Sequence, residues 1–145
     1  MTNLSIGFTG TRKGMTDTQK QTVHDLLNAW KGDYDNVTTH HGDCLGADAE
    51  FHEIARNLGL FVYIHPPTDD KLQAHCVGDY TYTPKHYLTR NAHIVDDSHV
   101  LVAAPASMRD ITGGTWWTIR NARLKGREVH VIDPEGGILT TGPDQ

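Results

Sequence analysis

Two arginines, two aspartates and three glycine turns are the residues of this chain best suited to chemistry, and that chemistry is the recognition of a phosphorylated ligand. The first turn, Thr9-Gly10-Thr11-Arg12, sets two hydroxyls and a guanidinium around a glycine. Such groups hydrogen-bond phosphate, and a guanidinium can grip it through two parallel bonds. The second turn, Gly42-Asp43-Cys44-Leu45-Gly46-Ala47-Asp48, joins two glycines for a tight loop to two carboxylates able to accept hydrogen bonds from a ribose. The third, Gly113-Gly114-Thr115, opens a helical stretch, and a helix N-terminus offers an anion unpaired N–H groups and a partial positive charge. Arg90-Asn91 begins another helix, where a guanidinium would lie near strand ends and a phosphate. The expected ligand-binding set is therefore Thr9, Gly10, Thr11, Arg12, Gly42, Asp43, Gly46, Asp48, Arg90, Asn91, Gly113, Gly114 and Thr115, with Arg90 and Asp43 as candidates for any catalysis. An Arg90 that serves only a phosphate would be dispensable to the fold. The plainer readings are a solvent-facing Arg12, a surface Arg90 and an Asp48 that merely stabilises the first turn of its helix.

Each turn follows an apolar run. Five segments read as strands: Leu4 to Thr9, Val37 to His41, Leu60 to His65, His99 to Pro105 and Glu128 to Asp133. They lack the alternation of a one-sided sheet, which suits parallel strands covered on both faces. Between them lie helical patterns. Thr16-Asp17-Thr18-Gln19 fits a capping box ahead of Val23, Leu26, Leu27 and Trp30. Ala47, Phe51, Ile54, Ala55 and Leu58 form a second stripe stopped by Gly59, and Leu88, Ala92 and Val95 a third. A fourth ends at Gly126, and its phase points Trp117 to the core beside Leu124, leaving Trp116 to flank a ligand. The order predicts an α/β fold with a doubly wound, mainly parallel five-stranded sheet and helices on both faces. Three turns at the carboxyl ends of such strands converge on one crevice.

The stretch from Pro66 to His86 breaks the alternation. It is polar and long for a connection, so the expectation is a mobile lid whose Tyr80 or Tyr82, or the adjoining Tyr87, covers the ligand. Residues 1–133 read as the binding domain and residues 134–145 as a loose tail.

At 145 residues the chain has the size of one domain. Its 37% hydrophobic content and the lack of a membrane-length apolar run predict no membrane association. The N-terminus lacks the basic region of a signal peptide, so the expected location is cytoplasmic. A net charge of −5 argues against a nucleic-acid partner. Cys44 and Cys76 suit reduced thiols. The sequence predicts neither a metal nor another cofactor. Among its histidines, His40, His41, Asp43 and Cys44 make the best cluster, yet adjacent strand residues face opposite ways and cannot readily share an ion. The Walker pattern and the GxSxG elbow are absent.

These motifs, in this order, resemble the SLOG superfamily, the Rossmann-like domains named for the Smf/DprA proteins and the LOG (LONELY GUY) enzymes, and within it the small stand-alone branch seen in bacteria and phages. The likeness is carried by Gly7-Phe8-Thr9-Gly10-Thr11-Arg12, by His41-Gly42-Asp43 with Gly46-Ala47-Asp48, by Arg90-Asn91 with Ile94-Val95-Asp96-Asp97, and by Gly113-Gly114-Thr115 with Ala122. It spans about Leu4 to Asp133. The resemblance implies a small-molecule nucleotide derivative as partner and, since relatives often form dimers, admits a homodimer. LOG-type phosphoribohydrolases use an Arg at the position of Arg90 and a Glu shortly after a Gly-Gly-x-Gly-Thr turn. Here Trp116, Trp117, Thr118 and Ile119 follow Gly114-Thr115, with no acid. The departure favours binding of a phosphorylated nucleoside or nucleotide derivative over hydrolysis of a nucleoside 5′-monophosphate. Asp43, Asp48 or Glu50 would have to replace the missing carboxylate if there is turnover.

Overall fold

A computed structural model describes residues 2–142. Its elements are β1 (Asn3–Gly10), α1 (Asp17–Asp33), β2 (Asn36–His41), α2 (Ala47–Asn57), β3 (Phe61–Ile64), β4 (Tyr80–Thr81), α3 (Tyr87–Asp96), β5 (Val100–Ala104), α4 (Gly113–Leu124), β6 (Glu128–Ile132) and β7 (Ile138–Thr141). The sheet order is β4-β3-β2-β1-β5-β6-β7, parallel throughout except for the β6–β7 pair. The doubly wound reading holds, with seven strands in place of the expected five. β4 has only two residues inside the polar stretch, too few for any periodicity, and both Ile138 and Leu139 of β7 are exposed. The segment expected to be a loose tail thus includes a strand, formed where a turn at Gly136 folds the chain back onto β6. Residues 143–145 of that segment lie outside the described residues.

Alternate residues of β5 are all buried but face opposite sides of the sheet, which divides the core. Val100, Val102 and Ala104 pack with Val23, Leu27 and Phe51 of α1 and α2, whereas Leu101 and Ala103 pack with Val95, Trp116 and Ile119 of α3 and α4. The chain winds outward from β1 to β3, then crosses back to place β5 on the other side of β1. That reversal opens a crevice at the carboxyl ends of β1 and β5.

The capping box forms as expected: the Gln19 N–H donates to Thr16 Oγ1 at 3.1 Å, and the Thr16 N–H donates to Gln19 Oε1 at 3.0 Å. Gln19 is itself buried, and its Nε2 donates to the Pro105 and Ile132 carbonyls at 2.9 and 3.0 Å. One polar side chain thereby caps a helix and ties it to the ends of β5 and β6. Among the described residues, no helix is long and apolar enough to cross a membrane.

Candidate functional site

The crevice is a cleft of about 810 Å³. Thr9, Gly10, Thr11 and Arg12 line it from the end of β1, and Gly42 and Asp48 from the end of β2 and the start of α2. Arg90 and Asn91 of α3 and Gly113, Gly114 and Thr115 of α4 complete the walls. Of the residues expected to bind a ligand, Asp43 and Gly46 do not line it.

The reason in each case is a structural task. Asp43 is buried in a left-handed conformation (φ 58), tolerable for an aspartate. Its Oδ1 accepts from the Cys76 N–H at 2.8 Å and its Oδ2 from Gln73 Nε2 at 2.9 Å, so it anchors the 66–86 stretch. Gly46 sits where the second loop meets the first, and the next N–H, from Ala47, donates to the Thr11 carbonyl at 2.9 Å.

Glycines in the cleft wall divide the same way. A Cβ on Gly10 would meet the Ala47 methyl at 2.5 Å, and one on Gly42 would meet Arg90 Nη1 at 2.7 Å. Packing alone accounts for both. Gly114 differs: the nearest atom to a Cβ there is Asn91 Nδ2, 3.9 Å away. Nothing in the protein demands a glycine at this point, and its backbone lies bare to the cleft. The start of α4 carries no side-chain cap, and the Thr112 hydroxyl donates to Asp110 Oδ1 at 2.6 Å. Its first turn has no acidic residue. Arg12 and Lys13 are exposed beside it and form no ion pair among the described residues.

Arg90 corrects an expectation. It is buried rather than free to serve only a ligand. Its Nη1 donates to the Gly42 carbonyl and, at 3.2 Å, to that of His65, while its Nε donates to Asn91 Oδ1 at 2.6 Å. The guanidinium therefore fastens β2, β3 and α3 together. Its Nη2 points toward Cys44 Sγ, 3.6 Å away at the cleft floor.

Asp48 shares that floor, and the Cys44 N–H donates to its Oδ2 at 3.2 Å. Burial pushes its carboxyl pKa up from 3.8 to about 6, although Arg90 and the Cys44 and Gly42 N–H groups oppose the rise. Burial, with help from Asp48, lifts the Cys44 thiol to about 11, which removes it as a nucleophile near neutrality. Because the folded Asp48 pKa exceeds the unfolded one, its stabilising contribution is complete below about pH 3.8 and is lost as pH rises through about 6. Asp48→Asn removes this dependence. Relative to wild type, the variant is expected to gain roughly 3 kcal/mol between acidic and mildly alkaline pH. Urea unfolding of both proteins at each pH checks this, and a pH-independent difference would contradict it. Glu50, the third carboxylate considered, accepts from the Met15 N–H at 2.6 Å and pairs with Lys20 at 3.3 Å, away from the cleft.

The 66–86 stretch is held rather than free-standing. Backbone bonds link Leu45 to Leu72, Ala74 to Asp43, Asp79 to Val62 and Tyr82 to Ile64. Tyr82 stacks on His65 at 4.4 Å and Tyr80 packs edge-on against Tyr82, so neither lines the cleft, whereas Tyr87 does. Of the two tryptophans, Trp116 lines the cleft as expected, but the core position expected of Trp117 is also its own. Trp116 is the buried one, its Nε1 donating to the Ser107 carbonyl at 3.0 Å, and the stripe inward runs Trp116, Ile119, Ala122. Leu124, used to set the phase, is 88% exposed. Lys13 and Lys71 line the cleft although the sequence reading passed over them. Lys13 was within reach of that reading, as the second member of a basic pair after the first glycine turn; no local signal marks Lys71.

No protein-family model matches the chain, and no curated protein matches it in sequence. Solved structures do. The molybdenum cofactor binding protein of the phototrophic bacterium Rippkaea orientalis superposes with a TM-score of 0.69 at 20% identity, over 92% of this chain and 78% of that one. The molybdenum cofactor carrier protein of Chlamydomonas reinhardtii gives 0.63 at 19%, over 89% and 76%. DNA processing protein A of Streptococcus pneumoniae gives 0.64 at 17%, over 88% of this chain but 50% of its own length. The chain shares its fold with these proteins. At these identities the likeness concerns architecture. After the Gly113-Gly114-Thr115 turn come the Trp116 indole, bonded to Ser107, and Thr118, whose Oγ1 donates to the Gly114 carbonyl at 2.9 Å.

Proposed function

We propose that the cleft binds a phosphorylated nucleoside or nucleotide derivative, with a phosphate at the uncapped start of α4. The observation that supports this reading is Gly114, a cleft-lining position where a Cβ would meet nothing closer than 3.9 Å, on an uncapped helix N-terminus beside the exposed Arg12 and Lys13. Residues 1–133 form the binding unit. Tyr87, half exposed at the rim, stacks on the base.

The test combines a ligand panel with two variants. Nucleoside mono- and diphosphates, dinucleotides and cyclic nucleotides are screened by thermal shift. The molybdenum cofactor joins the panel because two of the named structural neighbours bind or carry it. At least one ligand should raise the melting temperature in proportion to the logarithm of its concentration. Gly114→Ala should leave the free protein as stable as wild type, or more stable by about 0.5–1 kcal/mol since alanine favours helix, yet abolish the shift. Retention of the shift would remove the phosphate from α4. Tyr87→Ala should weaken binding of a base-containing ligand roughly tenfold, the worth of one stacking contact, while Tyr80→Ala does nothing.

One observation favours a second reading, turnover. Asp48 lines the cleft beside Arg90 as a carboxyl group able to gain or lose a proton near neutrality. Release of free base from a nucleoside 5′-monophosphate, abolished by Asp48→Asn, would replace the binder with a hydrolase.

A further inference from the structure

Two clusters of metal-ligating side chains lie on opposite faces of the sheet, and they begin at adjacent residues of β2. His41 faces α2, where its Nε2 stands 2.9 Å from His52 Nδ1 with Cys76 alongside. His40 faces the other way, its Nδ1 2.9 Å from His65 Nε2, which is in turn 4.0 Å from Asp97 Oδ2. The sequence reading took His40 and His41 as rivals for one ion and missed that each finds a second histidine.

The first cluster is closed by its own hydrogen bonds. The Asp43 N–H donates to His41 Nδ1 at 3.0 Å, so the proton of the neutral ring sits on Nε2 and points at His52. The Cys76 thiol is engaged by Asp43 and, being buried, resists ionisation. A cation there would have to break each of these links.

The second cluster is held less tightly: its Asp97 carboxylate accepts from the Tyr82 hydroxyl, but its two rings are hydrogen-bonded to each other. The facing nitrogens share a single proton, and no backbone group among the described residues claims either one. The rings are fixed by stacking instead, His40 on Tyr63 at 4.5 Å and His65 on Tyr82 at 4.4 Å. Asp97 follows the end of α3, partly exposed, at a separate cavity of about 370 Å³ that His93 also lines. We propose that His40, His65 and Asp97 form a binding site for a divalent first-row transition cation.

The spacing supports this. Two bonds of about 2.05 Å at a right angle place their nitrogens about 2.9 Å apart, which is the separation found between the two rings. The separation suits adjacent positions of a five- or six-coordinate ion, but the nitrogens face each other head-on with ring centroids 5.1 Å apart, so an ion seats only after both rings turn in plane to aim their lone pairs at it. The Asp97 carboxylate, 4.0 Å from His65 Nε2, would complete the set by rotating on the solvent side and giving up the Tyr82 hydroxyl. Two histidines and one carboxylate leave positions open toward the cavity for water or His93. Burial favours the neutral, ligating form of both rings. Binding moves the shared proton to an outer ring nitrogen, a tautomer change without net ionisation. Arg90 and Lys85 also line the cavity, and Asp96 is paired with Lys125, so the surrounding positive charge lowers the affinity for a cation.

Chelator-treated protein is titrated with Co²⁺ and Zn²⁺ by calorimetry, with visible absorption for Co²⁺. One equivalent should bind, with d–d bands and no thiolate charge-transfer band. Asp97→Asn should weaken binding tenfold or more, His65→Gln should do the same, and Cys76→Ser should change nothing. Asp97→Asn is conservative and partly exposed, so it decides the matter even if His65→Gln does not fold; unfolding midpoints verify each variant. Absence of binding up to millimolar metal, affinity unmoved by Asp97→Asn, or a thiolate band lost with Cys76→Ser would overturn the proposal.

Discussion

Arg90→Ala is expected to destabilise the protein by about 3–5 kcal/mol, lowering the melting temperature by on the order of 10 °C. The guanidinium is buried, and its N–H groups satisfy the carbonyls of Gly42 and His65 and the Asn91 side chain. Hydrogen bonds from a charged donor contribute about 1.5–3 kcal/mol each, and deleting the donor leaves buried acceptors unpaired. Water entering from the cleft offsets part of this loss, which is why the sum of the individual bonds is not reached. Arg90→Lys should recover only a fraction, since an ammonium keeps the charge but cannot reach three acceptors in a planar fork. The measurement is the urea midpoint of the two variants without ligand. An unchanged midpoint for Arg90→Ala would show that the guanidinium is held for a ligand and not for the fold.

Gly46→Ala should be at least as damaging, again by several kcal/mol, and its cause is backbone rather than side chain. The residue has φ 87 and ψ −123, a region that L side chains rarely enter. A Cβ there would lie 2.3 Å from the Arg12 carbonyl oxygen and 2.8 Å from that of Thr11. Neither atom can rotate away, because the same loop accepts the Ala47 N–H. The substitution must push the first glycine turn off the second, so loss of stability and distortion of the cleft are expected together. Gly114→Ala, with open space around it, is the matched control. Equal midpoints for Gly46→Ala and Gly114→Ala would refute this account of the junction.

Strands and helices were legible where apolar spacing was long enough to carry a period. The five principal strands and four helices fall where expected, and the Thr16 capping box is built as written in the sequence. What escaped is non-local. β4 exists because Tyr80 and Thr81 find β3, not because two residues prefer a strand. Trp117 was assigned to the core in place of Trp116 because Leu124 has a core-type side chain in an exposed place. In the cleft, sequence reasoning picked the right loops but could not separate glycines that a ligand needs from those the protein needs. Gly10, Gly42 and Gly46 are packed by residues distant in sequence, and only three-dimensional neighbours single out Gly114. Arg90 hid its structural role for the same reason: its acceptors lie in other strands.

Trp116 has a further use. Its indole forms part of the cleft wall while its N–H is pinned to the Ser107 carbonyl, so the ring cannot swing away when the cleft fills. An occupant at the start of α4 would therefore change the polarity around a fixed fluorophore. Trp30 sits elsewhere, edge-on to His130, and the half-buried Trp117 does not line the cleft, so these two supply the background. The protein thus carries its own optical reporter: emission intensity should follow occupancy without any attached dye, and Trp116→Phe should silence the signal while leaving the binding isotherm measurable by other means.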